Sequence, residues 1–546
     1  MIRIPDKYHL PLILLVCFIL FCMHLDVMYE NIMEARNFIT AREMLNYDNW
    51  VFTTMNGEAR YEKPPLPTWL VAISAAVFGL DQIWALRLPS ALIATLMAIY
   101  LYKLAVKFVG NKTYALNSVL ILVTSFYILF SGRNGTWDIF AHSFMLGGIY
   151  FLFRFFSDYK KEYQNAILSG IFIGLSFMSK GPVSHYALLL PFLIAYGAVY
   201  KFSGFKGKII PLLILLLITL ILSSWWAIAI YLFDTASASA IADKEATAWA
   251  NRNTRPFYYY WSFFTQSGIW TIPAFIGLLY PYLKSRVINL KAYQFTLVWT
   301  LAVVVLLSLI PEKKSRYLLP VLIPLAFNTS FYIEYLQRRF KDLKDKRELI
   351  PVYFNFGLIA VIGISVPIAG YLIMVENLDG LWLWFVLVSL AALTIGLLII
   401  KGIWEKAFSR MFYLTIAFVC SIILFGFPLV KASYTNEDYA KLAPKIENLQ
   451  TDGIPVYLYE NSSPELIWDM KQRLPIIKTS LGLTFPKEQH FAVLVDKDKA
   501  KELEQDFADY NVNLEYEIDG NITSKKDRNY KARRIGRLYL IESRSK

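Results

Sequence analysis

A series of apolar runs, each long enough to cross a membrane, is the feature that most limits how this chain can fold. A spanning helix needs about 20 mostly apolar residues, and it satisfies its own backbone hydrogen bonds in a medium without water. Only 18% of the 546 residues are charged, whereas soluble domains carry about 25%. We therefore predict a polytopic α-helical membrane protein. The candidate spans cover residues 10–25, 87–108, 112–131, 139–157, 165–179, 183–200, 209–233, 263–283, 292–310, 317–336, 351–375, 381–400 and 411–430.

One further apolar segment, residues 65–81, is ambiguous, and the distribution of Lys and Arg decides it. If 65–81 does not cross, the basic clusters between the other runs collect on one side, which the positive-inside rule makes cytoplasmic. We place 65–81 as an interfacial helix on the outer face, which gives thirteen spans with the N-terminus inside and the C-terminus outside. These clusters also explain the net charge of +13, so no nucleic-acid partner is predicted. The first run lacks a small-residue cleavage site and is interpreted as an uncleaved span rather than a signal peptide.

The last part of the chain, residues 431–546, has a different pattern. Short alternating and amphipathic segments replace the long apolar runs, which is typical of strands and surface helices. We predict a transmembrane module over 1–430, with an outer loop and interfacial helices over 26–86, followed by a small extracytoplasmic α/β domain over 431–546. The predicted strands are 454–459, 491–495 and 535–541, and the predicted helices are 438–449 and 497–507.

The segment Arg60-Tyr61-Glu62-Lys63-Pro64-Pro65 joins the outer loop to the interfacial helix. The prolines prevent local helix, and Glu62 and Lys63 stand side by side at the membrane surface. An exposed ion pair stabilises by only about 0–1 kcal/mol, so a solvated turn is the alternative interpretation. The position favours a site for a phosphate carried on a lipid. Upstream, Arg42 and Glu43 are predicted on the solvated face of an amphipathic helix.

Asp138 is a second candidate, because it opens the span 139–157 on the outer side. The helix dipole favours a negative charge at that end by about 0.3–1 kcal/mol, so simple capping explains it. A carboxylate that binds a sugar hydroxyl or takes a proton explains it equally well, and both interpretations stay open.

Basic residues on the outer side also need an explanation, since positive charge is disfavoured there. Binding an anionic lipid phosphate supplies one, with Arg donating as a fork and Lys acting as a point charge. Contact with bulk anionic headgroups is the alternative. The residues concerned are Lys180, Arg252, Arg255, Lys313, Lys314 and Arg316.

At these residues the chain resembles the polytopic glycosyltransferases of the dolichyl-phosphate-mannose protein mannosyltransferase superfamily. Within that superfamily it is most similar to the branch of the bacterial lipid A 4-amino-4-deoxy-L-arabinose transferases. The matching residues are Glu34, Arg42-Glu43-Met44-Leu45, Trp50, Asn56-Gly57, Tyr61-Glu62-Lys63-Pro64, Arg87-Leu88-Pro89-Ser90, Asp138, Lys180-Gly181 and Tyr317-Leu318-Leu319-Pro320.

The resemblance implies a GT-C fold and a donor sugar carried on a polyprenyl phosphate, used at the outer face without a nucleotide sugar. It implies that Glu34 and Asp138 hold the sugar or the acceptor and that Glu62 takes part in a metal site. The implied donor phosphate ligands are Lys63, Lys180 and an Arg of the long loop, Arg252 or Arg255, to which we add Tyr317.

Two features depart from the family pattern. The family opens its first loop with Asp-Glu, where this chain has Met33-Glu34. The aminoarabinose branch has a metal-binding His in the long loop, whereas residues 234–262 contain none. The sequence therefore leaves dependence on a divalent metal open. It carries no nucleotide-binding glycine motif, so no nucleotide cofactor is predicted.

The predicted function is that of an inverting glycosyltransferase of the cell inner membrane, with its active site and tail domain facing the periplasm. It would transfer a sugar from a polyprenyl-phosphate donor to a lipid (lipid A-like), glycan or protein acceptor. Glu34 or Asp138 would act as general base if the acceptor is a hydroxyl. A transporter or flippase for lipid-linked saccharides is the rival class, but no Asp or Glu falls in the middle third of any span, where transporters place ionisable groups. A polymerase or ligase of surface glycan shares the chemistry and is the other alternative.

Overall fold

The computed structural model describes residues 4–158, 160–202, 204–251, 253–479 and 481–544. The chain forms two units, a helical one of Met1–Asp26 with Arg60–Pro428 and a mixed one of Val27–Ala59 with Leu429–Lys546. The α-helices are α1 (His9–Cys17), α2 (Ile32–Tyr47), α3 (Leu66–Phe78), α4 (Ile83–Val109), α5 (Lys112–Val123), α6 (Phe126–Gly132), α7 (Trp137–Ser157), α8 (Glu162–Lys180), α9 (Leu190–Tyr200), α10 (Ile209–Phe233), α11 (Thr235–Asn251), α12 (Thr271–Gly277), α13 (Tyr280–Leu283), α14 (Leu290–Leu309), α15 (Leu319–Arg339), α16 (Lys346–Met374), α17 (Trp382–Trp404), α18 (Phe408–Ser421), α19 (Ala443–Thr451), α20 (Pro464–Asp469) and α21 (Ala500–Asp506).

Within the described residues, seven helices are long and apolar enough to cross a membrane, or eight if α5 and α6, bent by 70°, form one span. They are α4, α7, α10, α14 and α17, together with α16 and α18 and the turns that continue them. The protein is therefore a helical membrane protein, as predicted, whereas the count of thirteen spans stays a prediction. The helix α3 has 13 residues and a length of about 20 Å, too short for a hydrocarbon core of about 30 Å. This length agrees with a segment 65–81 that does not cross.

The predicted span over 263–283 is not one continuous helix but a series of short helical segments, and its crossing of the membrane stays a prediction. A 3₁₀ segment, Phe263–Trp270, holds Gly268 at φ 66° and ψ −116°, a backbone conformation that glycine adopts readily. Pro273 and Pro281 then remove two backbone donors, and the chain continues as the short helices α12 and α13.

The helices α7 and α8 pack along their length, and this packing positions the candidate site. A Cβ at Gly148 would lie 2.7 Å from Cγ1 of Ile173 and 3.3 Å from its backbone N, so the glycine permits the close approach. Ser176 donates a hydrogen bond of 2.7 Å to the backbone oxygen of Ala141 across the pair, and Ser169 donates one of 3.0 Å to that of Gly148. Only a short turn separates the two helices, so the first turn of α7 lies beside the last turn of α8.

The mixed unit contains a four-stranded sheet in the order β3-β6-β8-β7, in which β3 and β6 are parallel and the other pairs antiparallel. The predicted strands correspond to β3, β6 and β8, whereas β7 and α20 were not predicted. The missed strand alternates apolar and polar residues from Tyr510 to Asp519, so its period-2 pattern was available in the sequence. The strands are β1 (Thr54–Met55), β2 (Glu58–Ala59), β3 (Val456–Leu458), β4 (Lys478–Thr479), β5 (Gly482–Leu483), β6 (His490–Asp496), β7 (Tyr510–Asp519) and β8 (Ile535–Ser543).

The segment 27–59, predicted as part of the outer loop of the transmembrane module, belongs instead to this mixed unit. Arg42 donates two hydrogen bonds of 3.1 Å to backbone oxygens of α20. Glu43 accepts one of 2.6 Å from the backbone N of Asn56 and one of 2.7 Å from Arg473. Both side chains are buried, so the prediction of a solvated face is wrong for Arg42 and Glu43. Buried charges of this kind persist because their hydrogen-bonding groups are satisfied, here by partners distant in the sequence. The assignment of residues 431–546 to a periplasmic domain stays a prediction.

Candidate functional site

The polar ends of α7 and α8 meet in one ion pair. Asp138 lies in the first turn of α7, and Lys180 is the last residue of α8. The Nζ of Lys180 donates to Oδ1 of Asp138, and the two side chains are only 10% and 12% exposed. Each charge stands at the helix end where the dipole favours it. The two residues that the sequence singled out on separate loops are therefore in direct contact.

A second polar contact joins the next turn of α7 to the chain just beyond the end of α8. His142 follows Asp138 by four residues, and Ser184 follows Lys180 by four. The Nδ1 of His142 lies 2.8 Å from Oγ of Ser184, and both residues are buried. This contact ties α7 to the chain that follows α8, so it limits how far the ion pair above it can move.

The segment before α15 brings Tyr317 to the same place. The Nζ of Lys180 lies 5.7 Å from the centroid of the Tyr317 ring, within the range of a cation–π contact. On its own segment, Lys314 lies 5.5 Å and the guanidinium of Arg316 5.8 Å from the same centroid. Lys314 is paired with Glu312 at 2.5 Å.

The motif Arg60–Pro65 contacts the segment that begins after α10. Lys63 forms an ion pair of 3.2 Å with Glu245 of α11. Tyr61 donates a hydrogen bond of 2.7 Å to Oδ2 of Asp234, which holds the pKa of that carboxyl below its ordinary value. Burial, together with the same hydrogen bond, raises the pKa of Tyr61. Tyr61 and Lys63 thus bind acidic residues that lie directly before α11 and within it.

These contacts form one electrostatic cluster, which we call the rim cluster and define as Lys63, Asp138, Lys180, Arg316 and Tyr317. The positive charges of Arg316 and Lys63 both act on Lys180, and that of Arg316 also acts on Asp138. When Glu245, the ion-pair partner of Lys63, is included, three cations face two carboxylates. Since positive charges in a partly buried site repel one another, an excess of this kind favours an anionic ligand such as a phosphate.

Sequence comparison relates part of the chain to known proteins. Residues 62–228 match the family described as dolichyl-phosphate-mannose-protein mannosyltransferase. The chain is similar to the undecaprenyl phosphate-alpha-4-amino-4-deoxy-L-arabinose arabinosyl transferase 1 of Proteus mirabilis, with 26% identity over 339 residues, 60% of this chain and 59% of that protein. The first curated relatives match over 57% to 61% of their own length, so the chain spans less than two thirds of them.

Structural comparison covers nearly the whole chain. The apo structure of ArnT from Cupriavidus metallidurans superimposes with a TM-score of 0.68 at 17% identity, over 98% of this chain and 97% of that one. The chain has the GT-C fold. The structure of the same ArnT bound to undecaprenyl phosphate matches with a TM-score of 0.66 at 15% identity, over the same shares of both chains. The resemblance to GT-C glycosyltransferases of the aminoarabinose transferase branch, predicted from the motifs, is confirmed.

Glu34 is outside the helical unit that carries the rim cluster. It is the third helical residue of α2, where it forms a capping box with Asn31. Its carboxylate accepts a hydrogen bond of 2.7 Å from the Asn31 side chain, and its own backbone N donates one of 3.2 Å to that side chain. Capping therefore explains why an acid is needed at this position. A role for Glu34 in binding sugar or acceptor stays a prediction.

Glu62 does not acquire the partners of a metal ligand. Within the described ranges, no group of three or more His, Cys, Asp or Glu side chains is placed to hold a metal ion, which is the number of protein ligands that zinc centres use. The Oε2 of Glu62 is buried without a hydrogen-bond partner among the described residues. A metal role for Glu62 therefore stays a prediction, and we derive no chemical step through a metal.

Neither arginine of the long loop has a described side-chain contact with the rim cluster. Arg252 lies outside the described residues. The side chain of Arg255 is exposed, and its backbone is what pairs: its N donates a hydrogen bond of 3.2 Å to the oxygen of Pro311, and its oxygen accepts one of 3.0 Å from Lys313. The loop is therefore fastened to the segment before α15.

Sequence reasoning missed three residues of this region. Arg316 was noticed as a basic residue on the outer side, but it was not chosen as a site residue. Its position directly before Tyr317 was the available signal. Asp234 directly precedes α11 and Glu245 lies within it, and nothing in their local sequence marks them as partners of Tyr61 and Lys63.

Proposed function

We propose that this protein is a membrane glycosyltransferase that uses a sugar carried on a polyprenyl phosphate. The observation that carries the proposal is the rim cluster, in which the cations Lys63, Lys180 and Arg316 come together on a chain with the GT-C fold. A polyprenyl phosphate has the one polar group that such a cluster binds, together with a lipid tail that suits a site on a membrane protein. The named activity of the Proteus relative and the undecaprenyl phosphate bound to the Cupriavidus ArnT support the same donor class.

The chemistry is a direct displacement at the anomeric carbon with inversion. The bond from that carbon to the donor phosphate oxygen breaks, and its electron pair stays on the phosphate. The phosphate gains one negative charge, which Lys63 and Lys180 stabilise. At the same time, an oxygen of the acceptor bonds to the anomeric carbon.

The proton balance depends on the acceptor. A hydroxyl acceptor loses its proton to a carboxylate, and Asp138 is the carboxylate of the rim cluster that can take it. An ionised phosphate acceptor, as on lipid A, needs no base. In that case, Asp138 orients Lys180 and the sugar. We propose a lipid A-like acceptor, on the relatives' names, with glycan or protein as the alternatives.

We further propose thirteen spans, with the N-terminus in the cytoplasm and with the rim cluster and residues 431–546 facing the periplasm of a cell with an inner membrane. The distribution of Lys and Arg between the apolar runs supports this orientation. The flippase alternative is disfavoured by the position of the charged residues, because the rim cluster lies at helix ends rather than at mid-span.

Reconstitution distinguishes these functions. Purified protein in nanodiscs receives a polyprenyl-phosphate sugar labelled in the sugar, together with lipid A, a glycan or a protein as acceptor. We expect a labelled glycoside and free polyprenyl phosphate in equal amounts with the parent chain and neither with Lys180→Gln. Movement of the donor between leaflets of vesicles without a new glycoside would identify a flippase instead.

A further inference from the structure

Arg316 forms no ion pair within the part of the chain that the structure describes, whereas the other two cations near Tyr317 each form one. Lys180 is paired with Asp138, and Lys314 is paired with Glu312 at 2.5 Å. Among the described residues, the Nε of Arg316 is buried and has no hydrogen-bond partner. A guanidinium N–H without an acceptor, away from water, is unfavourable, so an acceptor supplied by a ligand would satisfy it.

The position of Arg316 indicates where that ligand would lie. Its guanidinium is 5.8 Å from the centroid of the Tyr317 ring, and the Nζ of Lys180 is 5.7 Å from the same centroid. The charge of Arg316 acts on both members of the Lys180–Asp138 pair. An anion bound to Lys180 would therefore also lie within the field of Arg316.

We propose that Arg316 supplies a forked guanidinium contact to the donor phosphate, a role for which it is better placed than Arg255 of the long loop. This inference rests on the proposed function, because it names a further ligand of the same phosphate. Arg fits phosphate because two parallel N–H groups reach two oxygens, which an ammonium cannot reproduce. Arg255 is less suited, since its side chain is exposed and its backbone is held by Pro311 and Lys313.

The role predicts an effect on turnover as well as on binding. When the sugar leaves, the phosphate changes from a singly charged diester to a doubly charged monoester, and the electron pair of the broken bond remains on its oxygen. Arg316 stabilises that added charge, so it binds the leaving phosphate more tightly than the intact donor. Loss of Arg316 should lower kcat more than it raises KM.

The test compares Arg316→Gln and Arg316→Lys with a matched control, Lys244→Gln, which removes one exposed positive charge from α11. The probe is undecaprenyl phosphate, with undecaprenol as its uncharged counterpart, in nanodiscs of zwitterionic lipid. We expect Arg316→Gln to weaken phosphate binding about tenfold or more, as for a lost hydrogen bond to a charged group. Arg316→Lys should recover part of the loss, and undecaprenol binding should not change in any variant.

Four outcomes would overturn the inference. Parental affinity in Arg316→Gln, with affinity lost in Lys180→Gln, would exclude Arg316 and leave the proposed function intact. A loss in Arg255→Gln alone would return the role to the long loop. An effect of Arg316→Gln seen only with anionic nanodiscs would identify contact with bulk headgroups. Parental affinity in the Lys63, Lys180 and Arg316 variants together would reject the phosphate site, and with it the proposed function.

Discussion

The carboxylate of Glu245 lies 3.2 Å from the ammonium group of Lys63. Lys63 is the residue of the Arg60–Pro65 motif that we assign to the donor phosphate, so the phosphate and Glu245 compete for one ammonium group. The pair is partly exposed, at 24% for Lys63 and 39% for Glu245, which limits the strength of the ion pair to about 1 kcal/mol.

Removing this competition should strengthen donor binding. We expect Glu245→Gln to tighten the binding of undecaprenyl phosphate by up to about fivefold, the equivalent of 1 kcal/mol. Asp243→Asn is the matched control, because it removes one negative charge from an exposed position of the same helix. Titration of both variants in nanodiscs measures the difference. Equal affinities in the two variants would show that Glu245 affects donor binding only through the net charge of α11 and not through its ion pair with Lys63.

A double-mutant cycle on Asp138 and Lys180 separates their stabilising role from their chemical role. Asp138→Asn leaves a nearly buried ammonium without its carboxylate, which we expect to cost about 3–5 kcal/mol and to lower the thermal midpoint in detergent. Asp138→Asn with Lys180→Gln should recover much of that loss, since two amides can hydrogen-bond to each other.

Glycosyl transfer should be absent in both the single and the double variant of this cycle. Recovery of transfer together with stability would show that the pair is needed only for folding.

The close approach of α7 and α8 can be tested through Gly148. A methyl group there would contact Ile173 at 2.7 Å, and overpacking of this kind costs about 1–3 kcal/mol. We expect Gly148→Ala to lower both thermal stability and transfer, because it shifts the helix that carries Asp138. Gly357→Ala is the control, since a Cβ at Gly357 meets nothing within 4 Å and alanine favours the helix. A normal transfer rate in Gly148→Ala would show that the close packing of α7 and α8 at Gly148 is not needed to position Asp138.

Glu43 should matter for stability rather than for chemistry. It is fully buried and accepts hydrogen bonds from Arg473, the Thr54 hydroxyl and the backbone N of Asn56. We expect Glu43→Gln to destabilise the mixed unit by about 3 kcal/mol or more, as when a buried charge loses its partner. Glu58→Gln, at an exposed position of β2, is the control. Limited proteolysis across residues 429–544 would report the change, and equal cleavage of the two variants would contradict it.

The sequence was sufficient for the features that depend on local pattern. The apolar runs identify most of the helices, because a helix in lipid is specified by its own length and composition. The acid at the head of α7 and the base at the end of α8 could be singled out because both stand at helix ends with an unusual charge. Their contact follows from the antiparallel packing of two consecutive helices.

Other features depend on parts of the chain that are far apart in sequence. Arg42 and Glu43 have the composition of a solvated helix face, and only the fold shows that α20 and Arg473 satisfy them. Glu245 was not predicted, because its role depends on how residues 234–262 return to the Arg60–Pro65 motif. The break over 263–283 was foreseeable in part, since Gly268, Pro273 and Pro281 were visible in the sequence.

The grouping of residues 27–59 with the tail constrains how this architecture can be rearranged. The backbone passes between the two units three times, after residues 26, 59 and 428. The mixed unit is therefore built from two separate segments of the chain, and the tail alone is only part of it. Truncation after Pro428 would remove Arg473 from Glu43 and the backbone acceptors from Arg42, stranding two ionised groups in the remaining loop. A chimaera that takes residues 429–546 from a related protein would therefore also need residues 27–59 from the same protein.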